Sequence, residues 1–321
     1  MAMLIFFYDV ASSENLSMLL GGILTACLGS VYNFYRKSFF ELKAHEEREK
    51  AHALRKELAD KEMRTAQAIQ ETLLGNKETV PGLDIACYYK SAEKTGGDWF
   101  GYYPDEKSGF CFIFCGDVTG HGFSASLMTG LASGAIKYHI EKLRDNSLKQ
   151  ISYCPEEELL YLVKTLNTII LKTGSQQGKT MTLLLLCLNI HNGELYFCNA
   201  GHNFPILSSQ NKTKLIPLRG SRLGFSAKSN NWKIKKLQLS PGDTFITYTD
   251  GLMENTDNNG HVLSQRKLKE IIQDNFDLPA QEILDSILNL SSAFLNDHPM
   301  EDDCTISVYK WSGSEIIRKT A

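Results

Sequence analysis

An α+β layered sandwich is the fold class this sequence predicts, and three observations predict it. After Pro81-Gly82 the chain turns into short apolar runs of strand character. Those runs are interrupted by pairs of helical patterns, which does not match the one-for-one alternation of a doubly wound sheet. Hairpin signals such as Ile190-His191-Asn192-Gly193-Glu194 join neighbouring runs. Upstream, an uncharged stretch and a long charged helical pattern predict a transmembrane helix and a helical linker in front of the sandwich.

Residues 16–35 read LSMLLGGILTACLGSVYNFY, and Arg36-Lys37 follows. About 20 apolar residues cross the hydrocarbon core of a bilayer. No basic residue precedes the run, unlike a cleaved signal peptide. Asp9 and Glu14 before it and Arg36-Lys37 after it predict a single pass through the inner membrane, with the rest of the chain in the cytoplasm. A buried core helix is the alternative, since the run is of minimal length and carries Ser17, Thr25 and Asn33. Gly22, Ala26 and Ser30 fall four apart, a small-residue face suited to helix contacts in lipid.

From Ser38 to about Leu74 the chain is rich in Glu, Lys, Arg and Ala, without proline or glycine. Glu46/Lys50 and Glu57/Lys61 have the favourable order for helical ion pairs. Ala51, Leu54 and Leu58, then Met63, Ala66, Ile69 and Leu73, keep mostly three- and four-residue steps, but the step from Leu58 to Met63 breaks the heptad. The segment reads either as a short interrupted coiled coil joining a homodimer or as a solvated single helix. Gly75-Asn76 is its stop signal.

Strands are predicted near 83–90, 98–103, 110–116, 180–190, 193–199, 204–208, 213–217, 233–239, 243–249 and 304–311. Helices are predicted over 123–143, 156–173 and 279–296, with a shorter one near 264–274. Leu159, Leu162, Val163, Leu166, Ile169 and Ile170 form one apolar stripe of the second helix. In the first, Ala125, Thr129 and Ser133 lie four apart and permit close packing on a sheet.

Composition narrows the partners. A net charge of −3 leaves no basic field, which makes nucleic acid a poor partner and weighs against a nuclease. The eight cysteines contain no Cys-x-x-Cys pair and sit mostly in apolar runs, so they read as small buried hydrophobes and zinc is disfavoured.

The chemistry centres on Gly116-Asp117-Val118-Thr119-Gly120-His121-Gly122. The apolar run 110–115 feeds straight into it, which puts a carboxylate at the end of a rigid strand, and the glycines allow a tight turn and a close ligand. Gly96-Gly97-Asp98, Thr249-Asp250-Gly251 and Asp302-Asp303 repeat the pattern. Any one Asp-Gly pair alone reads as a turn. Four acidic loops, two of them closing buried strands, point to carboxylates gathered round a hard divalent cation.

GGDWF at 96–100, GDVTGHG at 116–122, NAGHNFP at 199–205, LSPGDTFITYTDG at 239–251 and DDCT at 302–305 occur in order. Over residues 65–311 the chain thereby resembles the catalytic domain of SpoIIE/RsbU-type phosphatases, a bacterial branch of the protein phosphatase 2C (PPM) superfamily. The resemblance implies two packed antiparallel sheets flanked by helices. It also implies two Mn²⁺ or Mg²⁺ ions: Asp117 bridges them, the Val118 carbonyl binds one, Asp250 and Asp302 complete the second, and Asp98 contributes directly or through water. Two such ions about 3.5–4 Å apart acidify a shared water and clamp an in-line phosphoryl displacement. The implied substrate is phosphoserine or phosphothreonine on a regulatory protein, with STAS-domain proteins of partner-switching pathways as the expected class. A catalytically silent scaffold that binds a phosphorylated partner is the alternative, disfavoured by the presence of every candidate acid.

Gly97, Gly116 and Gly251 flank those acids, and Asp303 either ligates or caps the turn before the last strand. His121 and His202 sit beside glycines; each is a candidate general acid, though a histidine next to a carboxylate cluster more often serves by hydrogen bonding. Asn199 to Asn203 reads as a structural turn on the rim. Phe204 and Arg222 stand where the family usually or often has proline. Lys90, Lys94 and Arg222 are candidates for holding the substrate phosphate. No Gly-x4-Gly-Lys-[Ser/Thr] loop is present, and Cys198 lacks the arginine of a cysteine phosphatase six residues on. The predicted division is an anchor at 1–37, a linker at 38–76, a phosphatase domain at 77–312 and a tail at 313–321.

Overall fold

The computed structural model describes residues 13–73, 78–92, 95–105, 108–120, 122–147, 154–174, 178–210, 212–228, 231–296 and 298–313. The chain divides into two compact units, Met1–Glu62 and Met63–Ala321. A helix, α1 (Ser13–Leu73), covers both the uncharged run and the charged segment after it. In the first unit Leu19, Leu20, Ile23, Leu24, Leu28 and Val31 are exposed, so the helix is apolar on all sides over that run. The Thr25 hydroxyl donates to the Gly21 carbonyl at 2.7 Å, which satisfies it within the helix. By length and composition this helix is able to cross a membrane. The expected stop at Gly75-Asn76 lies outside the described residues.

Among the described residues the second unit is built on ten strands and five further helices. In chain order these are β1 (Leu83–Lys90), β2 (Trp99–Asp105), β3 (Phe110–Val118), α2 (Phe123–Ser147), α3 (Pro155–Gly174), β4 (Met181–Asn189), β5 (Glu194–Ala200), β6 (Ile206–Ser209), β7 (Lys212–Leu215), β8 (Ile234–Gln238), β9 (Thr244–Tyr248), α4 (Gly251–Glu254), α5 (Gln265–Asp274), α6 (Ala280–Leu295) and β10 (Cys304–Trp311). Every strand found corresponds to an expected one within about two residues. The one-turn helix α4 was not expected, because four residues carry no periodicity.

Two five-stranded antiparallel sheets result, one ordered β1-β10-β9-β6-β7 and the other β2-β3-β4-β5-β8. Between them lie Cys111, Ile113, Leu184, Leu186 and Phe197 from one sheet and Leu207, Phe245, Tyr309 and Trp311 from the other. On the outer face of the β2-β8 sheet, Phe112, Phe114, Leu183 and Leu185 pack with Ala125, Ala132 and Ile136 of α2 and Leu159, Leu162 and Leu166 of α3. On the outer face of the other sheet, Ile246, Ile306 and Val308 pack with Leu268 and Ile272 of α5 and Ile283 and Ile287 of α6. β3 and β4 thus bury both faces, which is why their sequences are continuous apolar runs with no polar alternation. The small residues of α2 do the work expected of them, since Ala125, Thr129 and Ser133 are all buried.

Connections are short where the sequence supplies turn chemistry. At the β4–β5 hairpin Asn189 accepts from the main-chain N–H of His191 and Asn192, and Gly193 takes φ +75. Cys111, Cys115, Cys187, Cys198 and Cys304 are buried free thiols, in keeping with the hydrophobe reading.

Candidate functional site

The acidic motifs meet because of strand register. β2 pairs antiparallel with β3 so that Trp99 lies opposite Gly116, which sets Asp98 and Asp117 at one end of that sheet. In the other sheet β9 pairs with β10, and the Thr249 N–H donates to the Thr305 carbonyl at 3.1 Å. Asp250 follows β9 and Asp302-Asp303 precede β10, so both acidic loops leave the sheet at the same end.

The two sheets are tied together at this end by Asp98. It is 1% exposed, and its Oδ2 accepts from the hydroxyls of Thr249 at 2.6 Å and Thr305 at 2.7 Å, both on the opposite sheet. Hydrogen bonds to a charged group stabilise by about 1.5–3 kcal/mol each. Burial nevertheless holds the Asp98 carboxyl well above the usual carboxylate range, with the Asp117 charge adding to it and the two hydroxyls opposing. Asp117 is pushed to about 7 by burial and then by Asp250, Asp302 and Asp303. Asp250 is raised as well, through burial and then Glu254.

Glycines make room for this crowding. A Cβ on Gly97 would stand 2.5 Å from the Val118 carbonyl oxygen and 2.9 Å from Asp117 Oδ1. A Cβ on Gly251 would collide with the Asp303 carbonyl, and one on Gly116 would stand 2.5 Å from Trp99 Nε1. Real Cβ atoms do not tolerate such distances, so Gly97, Gly116 and Gly251 are required for the backbones to close round the acids.

Asp303 does not cap the turn before the last strand. Its Oδ1 accepts from the Ala92 N–H at 2.8 Å and its Oδ2 from the Gly97 N–H at 2.7 Å. It is therefore the anchor of the 92–97 loop, placed there by a contact across 206 residues that no local pattern reveals. Asp302 accepts from the Asp303 N–H at 2.8 Å. Asn255, buried beside it, accepts from the N–H of Glu301 at 2.7 Å and of Asp302 at 3.1 Å. The Asn255 amide also donates to the Gly251 carbonyl at 2.6 Å, joining the two acidic loops of that sheet.

His202 lies buried in the β5–β6 turn and outside the acid cluster's hydrogen bonds. Its ring Nδ1 pairs with the Thr182 hydroxyl at 2.8 Å, and its main chain exchanges two bonds with the Asn199 side chain. Burial lowers its pKa to about 4, a neutral ring held for structure. His121 and Lys94 lie outside the described residues; Lys90 and Arg222 are exposed. A further cation is at hand: Lys179 Nζ donates to the Thr119 carbonyl at 2.8 Å, two residues past Asp117.

The donor set suits a hard divalent cation. Carboxylates and a main-chain carbonyl are all oxygen donors, the acids repel one another, and burial makes that repulsion costly until a cation offsets it. Among the described residues no three His, Cys, Asp or Glu side chains close a coordination sphere alone. Mg²⁺ commonly keeps several waters and takes only one or two carboxylates, so a carboxylate-poor first sphere is compatible with it.

A family model, Stage II sporulation protein E (SpoIIE), matches residues 107–312, more than half of the chain. The chain belongs to the SpoIIE family. This SpoIIE-family chain is similar in structure to the SiaA-PP2C domain of Pseudomonas aeruginosa, at 21% identity and a TM-score of 0.67, covering 81% of this chain and 99% of that one. It is similar also to the RsbU and RsbW domains of a Mycobacterium tuberculosis protein, at 22% identity and a TM-score of 0.58, covering 73% of this chain and 61% of that one. Among curated proteins it is 24% identical over 241 residues to Protein IcfG of Synechocystis sp. (strain ATCC 27184 / PCC 6803 / Kazusa). That alignment takes in 70% of this chain and spans 38% of IcfG. The fold is the PPM type: two antiparallel sheets with helices outside.

The sequence did not mark four contributors to this SpoIIE-family site. Thr249 and Thr305 stood inside the quoted motifs, but only the packed sandwich aims their hydroxyls at Asp98. Asn255 had no motif to mark it. Gln70, at the end of α1, also reaches the site, as described below.

Proposed function

We propose that this chain is a membrane-anchored, metal-dependent serine/threonine protein phosphatase acting on a phosphorylated regulatory protein. One observation carries the reading: five carboxylates from four loops gather at one end of the sandwich, and burial, with the charges of Asp250, Asp302 and Asp303 added to it, raises Asp117 to about 7. Such an arrangement is costly unless a cation belongs there. Solved proteins of this fold support the choice of ion, one being RsbX in complex with magnesium and another the PstP catalytic domain with 2 manganese ions.

In this reading Asp117 and the Val118 carbonyl hold the ions together with Asp250 and Asp302, and Asp98 acts directly or through water. Two Mn²⁺ or Mg²⁺ ions, when bound, supply charge neutralisation and a water acidic enough to act at neutral pH. The protein's own part is positional. Thr249 and Thr305 orient Asp98 and oppose the effect of its burial, Asp303 and Asn255 fix the loops, and Gly97 and Gly251 bring main chain close to the acids. His202 is too deeply buried to pass protons to a leaving group. STAS-domain proteins are the substrate class the family resemblance points to. The anchor at 1–37, linker at 38–76, phosphatase domain at 77–312 and tail at 313–321 complete the proposed organisation.

The test is hydrolysis of an artificial phosphoester by the full chain in detergent. Activity should require Mn²⁺ or Mg²⁺ and disappear with a chelator. Asp117→Asn should lower turnover by at least ~100-fold, because it weakens both ions together. Metal-independent turnover, or a near-normal Asp117→Asn enzyme, rules out the two-metal assignment; binding of a phosphoprotein without turnover identifies the silent scaffold.

A further inference from the structure

The last turns of α1 belong to the same compact unit as the acid cluster. There Gln70 is 4% exposed, which is unusual for a glutamine on a helix of mostly exposed residues. Its carboxamide is spent on a single glycine. Nε2 donates to the Gly96 carbonyl at 2.8 Å, and Oε1 accepts from the Gly96 N–H at 3.3 Å. Two turns earlier, Met63 Sδ accepts from the Thr95 hydroxyl at 3.3 Å. α1 therefore grips the Thr95 hydroxyl and the Gly96 main chain, immediately before Gly97 and Asp98.

That backbone has no slack. Gly97 donates to Asp303 at 2.7 Å and accepts from the Val118 N–H at 3.1 Å. A Cβ on Gly96 would collide with the Asp303 carboxylate and stand 2.7 Å from the Tyr89 hydroxyl. The loop is thus wedged between Asp303 on one side and Gln70 on the other. An amide is the side chain this place calls for, since only a group that both donates and accepts satisfies a glycine's N–H and C=O together. Leaving those buried groups unpaired costs about 1–3 kcal/mol each, so the loop moves when the clamp is absent.

We infer that Gln70 is a positioning residue of the metal site, setting the place of Gly97 and Asp98 relative to Asp117 by clamping both polar groups of Gly96. The inference rests on the metal-dependent reading above. Groups that orient metal ligands typically contribute a factor of 10–100 to metal affinity. α1 is consequently part of the site through Gln70.

The experiment is calorimetric titration of the full chain in detergent with Mn²⁺ alone, for wild type, Gln70→Met and Gln70→Glu. Methionine keeps the volume and loses both hydrogen bonds; glutamate keeps the acceptor for the Gly96 N–H and loses the donor. Mn²⁺ affinity should fall about 10-fold or more in Gln70→Met and also fall in Gln70→Glu, while KM for an artificial phosphoester stays within about 2-fold. Exchange of the Gly96 amide proton, followed without metal, should quicken in Gln70→Met. A helix that merely packs on the domain predicts lower thermal stability with unchanged Mn²⁺ affinity in both variants, and that result overturns the inference. A wild-type chain that takes up no Mn²⁺ refutes the metal site itself and the inference with it, so the two failures are distinct. Should Gln70→Met not fold, Gln70→Glu with wild-type affinity is sufficient to overturn it.

Discussion

At the scale of single residues, the site divides into acids that carry charge and neutral groups that hold them. His202 belongs to neither: it is a neutral ring paired with the Thr182 hydroxyl, outside the acids' hydrogen bonds. Its pKa of about 4 follows from burial, offset only in part by the Tyr248 main chain. Below about pH 6.5 the unfolded chain accepts a proton that the folded ring refuses. Its contribution to stability is therefore complete above 6.5 and is lost as pH falls through about 4, by roughly 3 kcal/mol. Urea unfolding of the full chain should show this as a steep fall in midpoint between those pH values. His202→Gln, which has no ring to titrate, should flatten that slope. Parallel slopes in the two proteins would show that the ring titrates equally in the folded and unfolded states. Asp98, Asp117 and Asp250 were legible as candidate acids because each stands at a strand end beside a glycine or an aromatic strand. The role of Asp303 was not legible, because its partners Ala92 and Gly97 are far away in the chain.

At the scale of elements, α1 is the member whose part changes most between sequence and structure. Its pattern leaves open a coiled coil or a solvated helix. Gln70 and Met63 instead engage the 95–96 loop. The side chains of Ala66, Ile69 and Leu73, which share the expected stripe, lie outside the described residues. We propose that residues 16–74 join a homodimer and that packing upstream of Met63 tunes the rate, a broken heptad being able to hold two arrangements a few kcal/mol apart. One alanine inserted just before Met63 turns the upstream helix by about 100° relative to the clamp. In membranes the inserted enzyme should hydrolyse phosphoester at a changed rate with Mn²⁺ affinity unaltered. An unchanged rate reduces the linker to a tether.

At the scale of the whole molecule, the uncharged run 16–35 and the exposed apolar surface of Leu19, Ile23, Leu24 and Leu28 argue for insertion in a bilayer. The full-length protein should stay in the membrane fraction through an alkaline carbonate wash, with the phosphatase domain protected from protease added outside the cell. Extraction by carbonate would mean that the run is covered by protein instead.

What the sequence determined by itself was everything that depends on local pattern. Strand positions followed from continuous apolar runs on doubly buried β3 and β4, the hairpins from Asn-Gly chemistry, and the acids from their place at strand ends. Five ordered motifs were enough for the family. What only the tertiary structure decided was which groups from distant loops meet. The register of β2 on β3 and of β9 on β10, with the packing of the two sheets, puts Thr249 and Thr305 against Asp98 and Asp303 against Gly97, and the last turns of α1 bring Gln70 against Gly96. Each of these is a hydrogen bond made across the sandwich or from a helix outside it. A hydroxyl, carboxylate or amide looks the same in sequence whether it faces water or a buried loop; its partner is chosen by how the sheets pack.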